Sequence, residues 1–265
     1  MNLSFKKRKK IIISAKNDWM IKTEGKINVD KYKIKYVKKF KTKDLITSKA
    51  ILPLFERDQL ILENKFPRYF KKKCFTPGKD IINICEDKAV FNDFMVENGF
   101  KNLTPKSNKN LDIPFVLKKR KDEFGQNTFI IDSESLLKQH FNKLQSNEFI
   151  KQELISGKNE FTTHFIFKNG KLIYDFTLKF EFKKDKYVKG VQSPPFKTAN
   201  IKPHKTEFKN EIIAVLSKMN YEGVGCINFK LVDNVPKFFE INPRVGGSLP
   251  LDVNNFIDIY LKNLN

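Results

Sequence analysis

Phe238-Phe239-Glu240-Ile241-Asn242-Pro243-Arg244 is the most informative stretch of this chain. Apolar residues lead into a carboxylate and an amide two positions apart, and a proline separates them from an arginine. Side chains of a strand alternate between its faces, so Glu240 and Asn242 project from the same face. Two oxygen donors on one face, with water and phosphate oxygens completing the shell, suit octahedral Mg²⁺ bound to a nucleotide. Arg244 follows where it can stabilise charge on a transferring phosphoryl group. Glu-x-Asn taken alone favours a blander reading, a strand that ends in a polar turn.

Outward from that stretch, the turn signal Asp233-Asn234 makes residues 225–231 and 236–241 a hairpin, preceded by a helix over 206–219. Asn169-Gly170 joins strands 160–167 and 171–182 in a second hairpin. Residues 183–206 are basic, carry Ser193-Pro194-Pro195, and read as a long loop. Upstream lie strands at 114–117, 128–131 and 149–154. A charged loop fills 118–127, and a helix over 134–144 is capped by Asp132 or Ser133. Residues 87–98 read as an amphipathic helix, with Val90, Phe91, Phe94 and Met95 on one side and Gly99 past its end. The first 80 residues place strands at 10–14, 33–40 (an edge) and 50–55, then a helix at 56–64. That order suggests a small α/β unit with a parallel sheet, and Thr76-Pro77-Gly78 marks its boundary. No glycine-rich turn follows the first strand, so a dinucleotide fingerprint is absent.

The 26 Phe and seven Tyr among 265 residues supply bulk for a real core and exclude wholesale disorder. No apolar run approaches the length of a membrane span, and Ile11–Ile13 is far too short for the apolar part of a signal peptide. Cys74, Cys85 and Cys226 are widely spaced free thiols by this reading, as in a reducing compartment, so a soluble cytoplasmic protein is expected. The net charge of +21 invites a nucleic-acid partner. Against it, Arg8, Arg57, Arg68, Arg120 and Arg244 are the only arginines, and the lysines are spread along the whole chain. His140, His164 and His204 lack zinc spacing, and no Gly-x-Ser-x-Gly elbow occurs. Cys226 reads as a buried small hydrophobe rather than a nucleophile.

Glu240-Ile241-Asn242-Pro243-Arg244 resembles the metal-binding signature of the ATP-grasp superfamily, in particular its carboxylate–amine ligase and carbamoyl-phosphate-synthase-like branches. The resemblance extends upstream in order. Gly223-Val224-Gly225-Cys226-Ile227-Asn228-Phe229 is similar to the strand on which the family carries another metal ligand, with Asn228 where the family has Asp, Glu or Gln. Phe149-Ile150-Lys151-Gln152-Glu153-Leu154-Ile155-Ser156-Gly157 is similar to the family's hinge strand, which implies adenine recognition at Glu153 and Ile155. Glu160 matches the acid that holds the ribose hydroxyls, although a surface Glu on an edge strand is the plainer alternative. Pro114-Phe115-Val116-Leu117-Lys118 and Asp87-Lys88 resemble the two segments whose lysines contact phosphate. Only Gly125 stands in the loop 118–127, where the family often has several glycines.

The resemblance implies an ATP-grasp fold of mixed α/β and α+β type: an N-terminal α/β domain over 1–80 and an ATP-grasp domain over 81–265. The latter would comprise two subdomains, about 81–148 and 149–265, clasping ATP. It further implies ligation of a carboxylic acid to an amine through an acylphosphate, with release of ADP and phosphate. Lys88, Lys118, Glu153, Ile155 and Glu160 would then hold ATP. Glu240, Asn242 and Asn228 would hold Mg²⁺, or Mn²⁺ in its place, and Arg244 would act in catalysis. Gly246-Gly247-Ser248 could offer backbone donors to the acid. Small-molecule acid and amine substrates are the expected partners, with no membrane, nucleic acid disfavoured and a homodimer allowed. Two other classes stay open: an ATP-binding module that has lost turnover, and a basic nucleic-acid-binding protein.

Overall fold

A computed structural model describes residues 8–122, 125–189 and 200–264. The expected proline-bearing segment Ser193-Pro194-Pro195 therefore lies outside the described residues, as do the first seven. Strand β1 (Lys9–Ser14) is the centre of a parallel three-stranded sheet, with β2 (Tyr32–Val37) and β3 (Ala50–Leu52) on either side. Ile11, Ile12 and Ile13 are each buried, as an uninterrupted apolar run in a central parallel strand should be. The edge strand β2 instead alternates, with Tyr32 and Val37 buried and Lys33 and Lys35 exposed. Helices α1 (Asn17–Thr23), α2 (Thr42–Thr47), α3 (Glu56–Lys65) and α4 (Pro67–Lys73) complete this unit.

The chain continues through α5 (Lys79–Glu86) and α6 (Lys88–Glu97), the latter capped by the Asp87 carboxylate. A small antiparallel sheet follows, in the order β5 (Thr128–Ile131), β4 (Phe115–Lys119), β6 (Phe149–Glu153). It carries α7 (Glu134–Gln139), capped by Ser133, and α8 (Phe141–Gln145). A larger antiparallel sheet has the order β11 (Val235–Asn242), β10 (Gly223–Val232), β7 (Asn159–Lys168), β8 (Lys171–Glu181), β9 (Asn200–His204). Both expected hairpins form. Asn169 and Gly170, and likewise Asp233 and Asn234, all have positive φ, which two-residue hairpin loops require. Helices α9 (Lys209–Lys218) and α10 (Val253–Asn263) pack on this sheet.

Several details differ from the sequence reading. The helix expected over 134–144 breaks at His140, which leaves the helical region at φ −102, ψ 14. Lys118 belongs to β4 rather than to the loop after it. Val90 is 38% exposed, so α6 buries Phe91 and Met95 without it. Part of the expected long loop is the edge strand β9, paired with β8 from Thr177↔His204 to Glu181↔Asn200.

Period-two alternation divides the larger sheet's residues between two environments. Phe161, Phe165, Ile227, Phe229 and Phe238 share a core with Phe91 and Met95 of α6 and Ile212, Val215 and Leu216 of α9. On the opposite face, Ile166, Tyr174 and Val224 join β1, β3, Trp19 and α10 in a second core. Thr162, His164, Cys226 and Asn228 lie on that opposite face too, short of the second core; Thr162, Cys226 and Asn228 look into a cavity. Gly223, at the junction with the N-terminal unit, has φ +124, and a Cβ there would meet the Thr76 backbone at 2.7 Å. Only glycine satisfies both demands. Among the described residues, no helix is long and apolar enough to cross a membrane.

Candidate functional site

A cavity of about 660 Å³, in the usual range for small-molecule sites, lies between the two antiparallel sheets and the N-terminal unit. Lys88, Lys118, Glu153, Ile155, Glu160, Asn228, Glu240, Asn242 and Arg244 all line it. Residues spread from position 88 to 244 thus converge on one space.

A β-bulge organises the deep end. Asn228 pairs with Glu240 and Phe229 with Phe238, which leaves Phe239 as the extra residue. The bulge resets the alternation: Phe238 is fully buried in the core, whereas Phe239, Glu240 and Asn242 line the cavity. Glu240 Oε1 accepts from Asn228 Nδ2 at 2.9 Å and from Asn242 Nδ2 at 3.2 Å. Glu240 Oε2 lies 3.9 Å from Lys88 Nζ. Burial pushes the Glu240 carboxyl up, but Lys88, Lys118 and the two amides outweigh it and hold the group below the ordinary range. Lys88 Nζ also donates to the Asp122 carbonyl at 3.0 Å. Lys118, from the facing sheet, donates to Gln152 Oε1 at 2.7 Å and sits 5.0 Å from the Phe239 ring centre. Burial lowers its pKa to about 8, with Glu240 opposing and Lys88 adding to the shift.

Arg244 Nε donates to Glu56 Oε1 at 2.7 Å, with both side chains largely buried. Helix α3 therefore anchors the arginine, and Gln59 from the same helix donates to the Pro243 carbonyl at 2.6 Å.

At the opposite end, the Glu153 side chain turns back to accept from the Lys106 N–H at 3.1 Å. The Ile155 carbonyl accepts from Lys230 Nζ at 3.0 Å. Glu160 is buried, pairs with Lys189 at 2.9 Å, and accepts from the Tyr187 hydroxyl at 3.4 Å. It is not the surface Glu of the plainer alternative. Burial lowers the Lys230 pKa to about 8, against the pull of Glu160 and Asp185.

Sequence reasoning missed Gln152, Thr162, Lys189, Lys230 and Glu56. Lys230 carried a signal, because a lysine between Phe229 and Leu231 on an apolar strand is out of place unless it serves a site. Gly246 packs against His164 and Cys226 so closely that a Cβ would meet them at 2.6 and 2.8 Å. The Gly247 carbonyl accepts from Lys22, and Ser248 is bonded to His164 Nε2. Burial, then Lys189, pushes His164 down to about 3, so its imidazole is neutral. Cys226 is buried, and all three cysteines are free.

A family model described as an ATP-grasp domain matches residues 85–248, the span that carries these side chains. The chain belongs to the ATP-grasp family. No curated protein matches it in sequence. Solved ATP-grasp structures resemble it closely in shape. D-alanine–D-alanine ligase from Bacillus anthracis complexed with ATP superposes with a TM-score of 0.64 at 13% identity, covering 97% of each chain. A biotin carboxylase β,γ-ATP complex from Campylobacter jejuni gives 0.63 at 14% identity, covering 96% of this chain and 69% of that one. L-amino acid ligase from Bacillus licheniformis gives 0.58 at 15% identity, covering 98% and 73%. At such identities the likeness establishes the ATP-grasp fold.

The donor set of this ATP-grasp site suits a hard divalent cation that arrives with a polyphosphate. One carboxylate and two amides meet within hydrogen-bond distance, and Lys88 and Lys118 stand beside them. Among the described residues no cluster of three His, Cys, Asp or Glu exists that could hold an ion unaided. Mg²⁺ commonly binds through one or two carboxylates plus substrate phosphates, so the residues fit.

Proposed function

We propose that this ATP-grasp protein is an ATP-dependent carboxylate–amine ligase that works through an acylphosphate. The observation that supports it is the convergence of an anionic metal-type cluster, two half-buried lysines and a buried arginine at one end of a nucleotide-sized cavity. Lys88 and Lys118 would hold phosphates, the backbone at Glu153 and Ile155 the adenine, and Glu160 the ribose. Glu240, Asn242 and Asn228 would hold Mg²⁺ or Mn²⁺, which when bound offsets charge between substrate carboxylate and triphosphate. The stretch 1–80 would act as a separate N-terminal domain that closes one side of the site. Arg244, steadied by Glu56, would face the transferring phosphoryl group.

One carboxylate oxygen attacks the γ-phosphorus and ADP leaves. The amine then attacks the acyl carbon, loses a proton, and phosphate departs carrying that carboxylate oxygen. The lysines and Arg244 are needed because two anions must otherwise approach each other unshielded. With candidate acids labelled by ¹⁸O in the carboxylate, amide formation should release ¹⁸O-labelled phosphate, and hydroxylamine in place of the amine should give a hydroxamate. Phosphate bearing only solvent oxygen would point to hydrolysis, and AMP with pyrophosphate to adenylation. ATP binding without turnover on any acid–amine pair would instead favour a module that has lost catalysis.

The lowered pKa of Lys118 makes nucleotide affinity depend on pH. Its charge is present below about pH 8 and is lost as pH rises. Bound triphosphate favours the charged form, so above the free pKa each binding event takes up a proton. Affinity should then fall by up to about tenfold per pH unit. Calorimetric titration of ATP from about pH 7 to about pH 9.5 tests this linkage, and Lys118→Met should flatten the slope. A wild-type profile level across that range would remove Lys118 from phosphate binding.

A further inference from the structure

Thr162, Asn228 and Glu240 occupy paired positions on three adjacent strands, so their side chains form one row across the sheet. Lys189 Nζ donates to Thr162 Oγ1 at 2.9 Å, Thr162 Oγ1 donates to Asn228 Oδ1 at 2.7 Å, and Asn228 Nδ2 donates to Glu240 at 2.9 Å. The two ends fix every proton between them. An ammonium can only donate and a carboxylate held ionised can only accept. Asn228 must therefore turn its N–H₂ to Glu240, and its oxygen must face Thr162. In that direction the amide oxygen is turned away from the carboxylate, and the residue cannot join Glu240 as an oxygen ligand.

The same Lys189 ammonium pairs with Glu160 at 2.9 Å. A ligand whose hydroxyls bind Glu160 competes with Lys189 for that carboxylate. Once Lys189 moves, the Thr162 proton can turn toward the space it left. The hydroxyl oxygen then accepts from Asn228 Nδ2, and the amide can rotate its oxygen toward a cation beside Glu240. Thr162 is buried, so in the second arrangement its proton needs an acceptor in the space Lys189 left, a ligand oxygen or a water, and the two arrangements are distinct.

We propose that Lys189 and Thr162 are positioning residues that switch Asn228 between a hydrogen-bond donor to Glu240 and an oxygen donor to a divalent cation, according to whether Glu160 is engaged by a ligand. The proposal rests on the nucleotide reading above, and it adds a coupling between the ribose end and the metal end that needs no phosphate bridge. Adenosine isolates that coupling, because it carries the ribose hydroxyls and no phosphate to ligate an ion.

Mn²⁺ binding to the full chain, followed by the paramagnetic resonance of the free ion, should tighten about fivefold or more when adenosine saturates the protein, the lower end of ordinary coupling between sites. Thr162→Val should bind Mn²⁺ equally with and without adenosine, whereas Thr162→Ser, which keeps the hydroxyl, should retain the coupling. Adenosine that binds, by calorimetry, without changing Mn²⁺ affinity would overturn the switch and leave the nucleotide reading standing. Undiminished coupling in folded Thr162→Val would also overturn it, assigning the effect to the Lys189 charge alone. Failure of both adenosine and ATP to bind would remove the nucleotide reading and the switch together.

Discussion

A Glu240→Gln protein is expected to fold and to bind adenine nucleotide, yet to turn ATP over about a hundredfold to a thousandfold more slowly, the usual loss when a preorganised charge is removed. Gln keeps an oxygen that can accept from the Asn228 and Asn242 amides, so the local hydrogen bonds survive. What disappears is the anion facing Lys88 and Lys118, and with it the one charged member of the set Glu240, Asn242 and Asn228. The stabilities of wild type and variant differ near neutral pH and converge in acid. The Glu240 carboxyl is held below its ordinary range, so it contributes stability above the unfolded carboxylate pKa that is lost as pH falls through the folded one. A glutamine in its place does not titrate, so the variant lacks that contribution at every pH. Turnover near the wild-type rate in a protein shown to be folded by circular dichroism would remove Glu240 from the proposed metal site.

Replacing Arg244 with Met should lower stability as well as turnover. Arg244 is 5% exposed, and its Nε lies 2.7 Å from a Glu56 carboxylate that is itself largely buried. Taking away one partner of a buried ion pair typically costs about 3–5 kcal/mol. For a chain of this size that corresponds to a fall in melting temperature of about 10 °C. The double change Arg244→Met with Glu56→Gln should recover part of the loss, because the carboxylate charge that faced Arg244 is gone as well. Its turnover should stay low, since the guanidinium is still missing. An Arg244→Met protein with unchanged melting temperature would deny the pair any structural weight, and normal turnover would deny the arginine the catalytic role proposed for it.

The site was legible wherever a motif sits within one strand. Glu240 and Asn242 are two apart, and alternation predicts a common face from spacing alone. Contacts between strands were not legible, because nothing local says that Lys189 meets Glu160 or that Glu56 meets Arg244, 188 positions away. The bulge at Phe239 was hidden for the same reason, being a property of a pair of strands rather than of either one. β9 escaped notice because Asn200-Ile201-Lys202-Pro203-His204 is a mostly exposed edge with no apolar alternation to betray it. α10 is a different case. Val253, Phe256, Ile257, Tyr260 and Leu261 recur at helical spacing and are all buried, so the pattern for this helix is present in the sequence.

The core shared by α10 and the opening strands bears on how the chain is made. Tyr260 donates to the Ile51 carbonyl and accepts from the Phe75 N–H, the first of these joining residues 209 positions apart. A nascent chain that has just released β1, β2 and β3 from the ribosome has no Val253, Phe256 or Ile257 with which to cover Ile11, Trp19 and Tyr32. Those side chains wait, incompletely shielded, while the whole ATP-grasp region is synthesised. Trp19 is the single tryptophan, so its burial marks the moment at which a helix made late closes over a sheet made early.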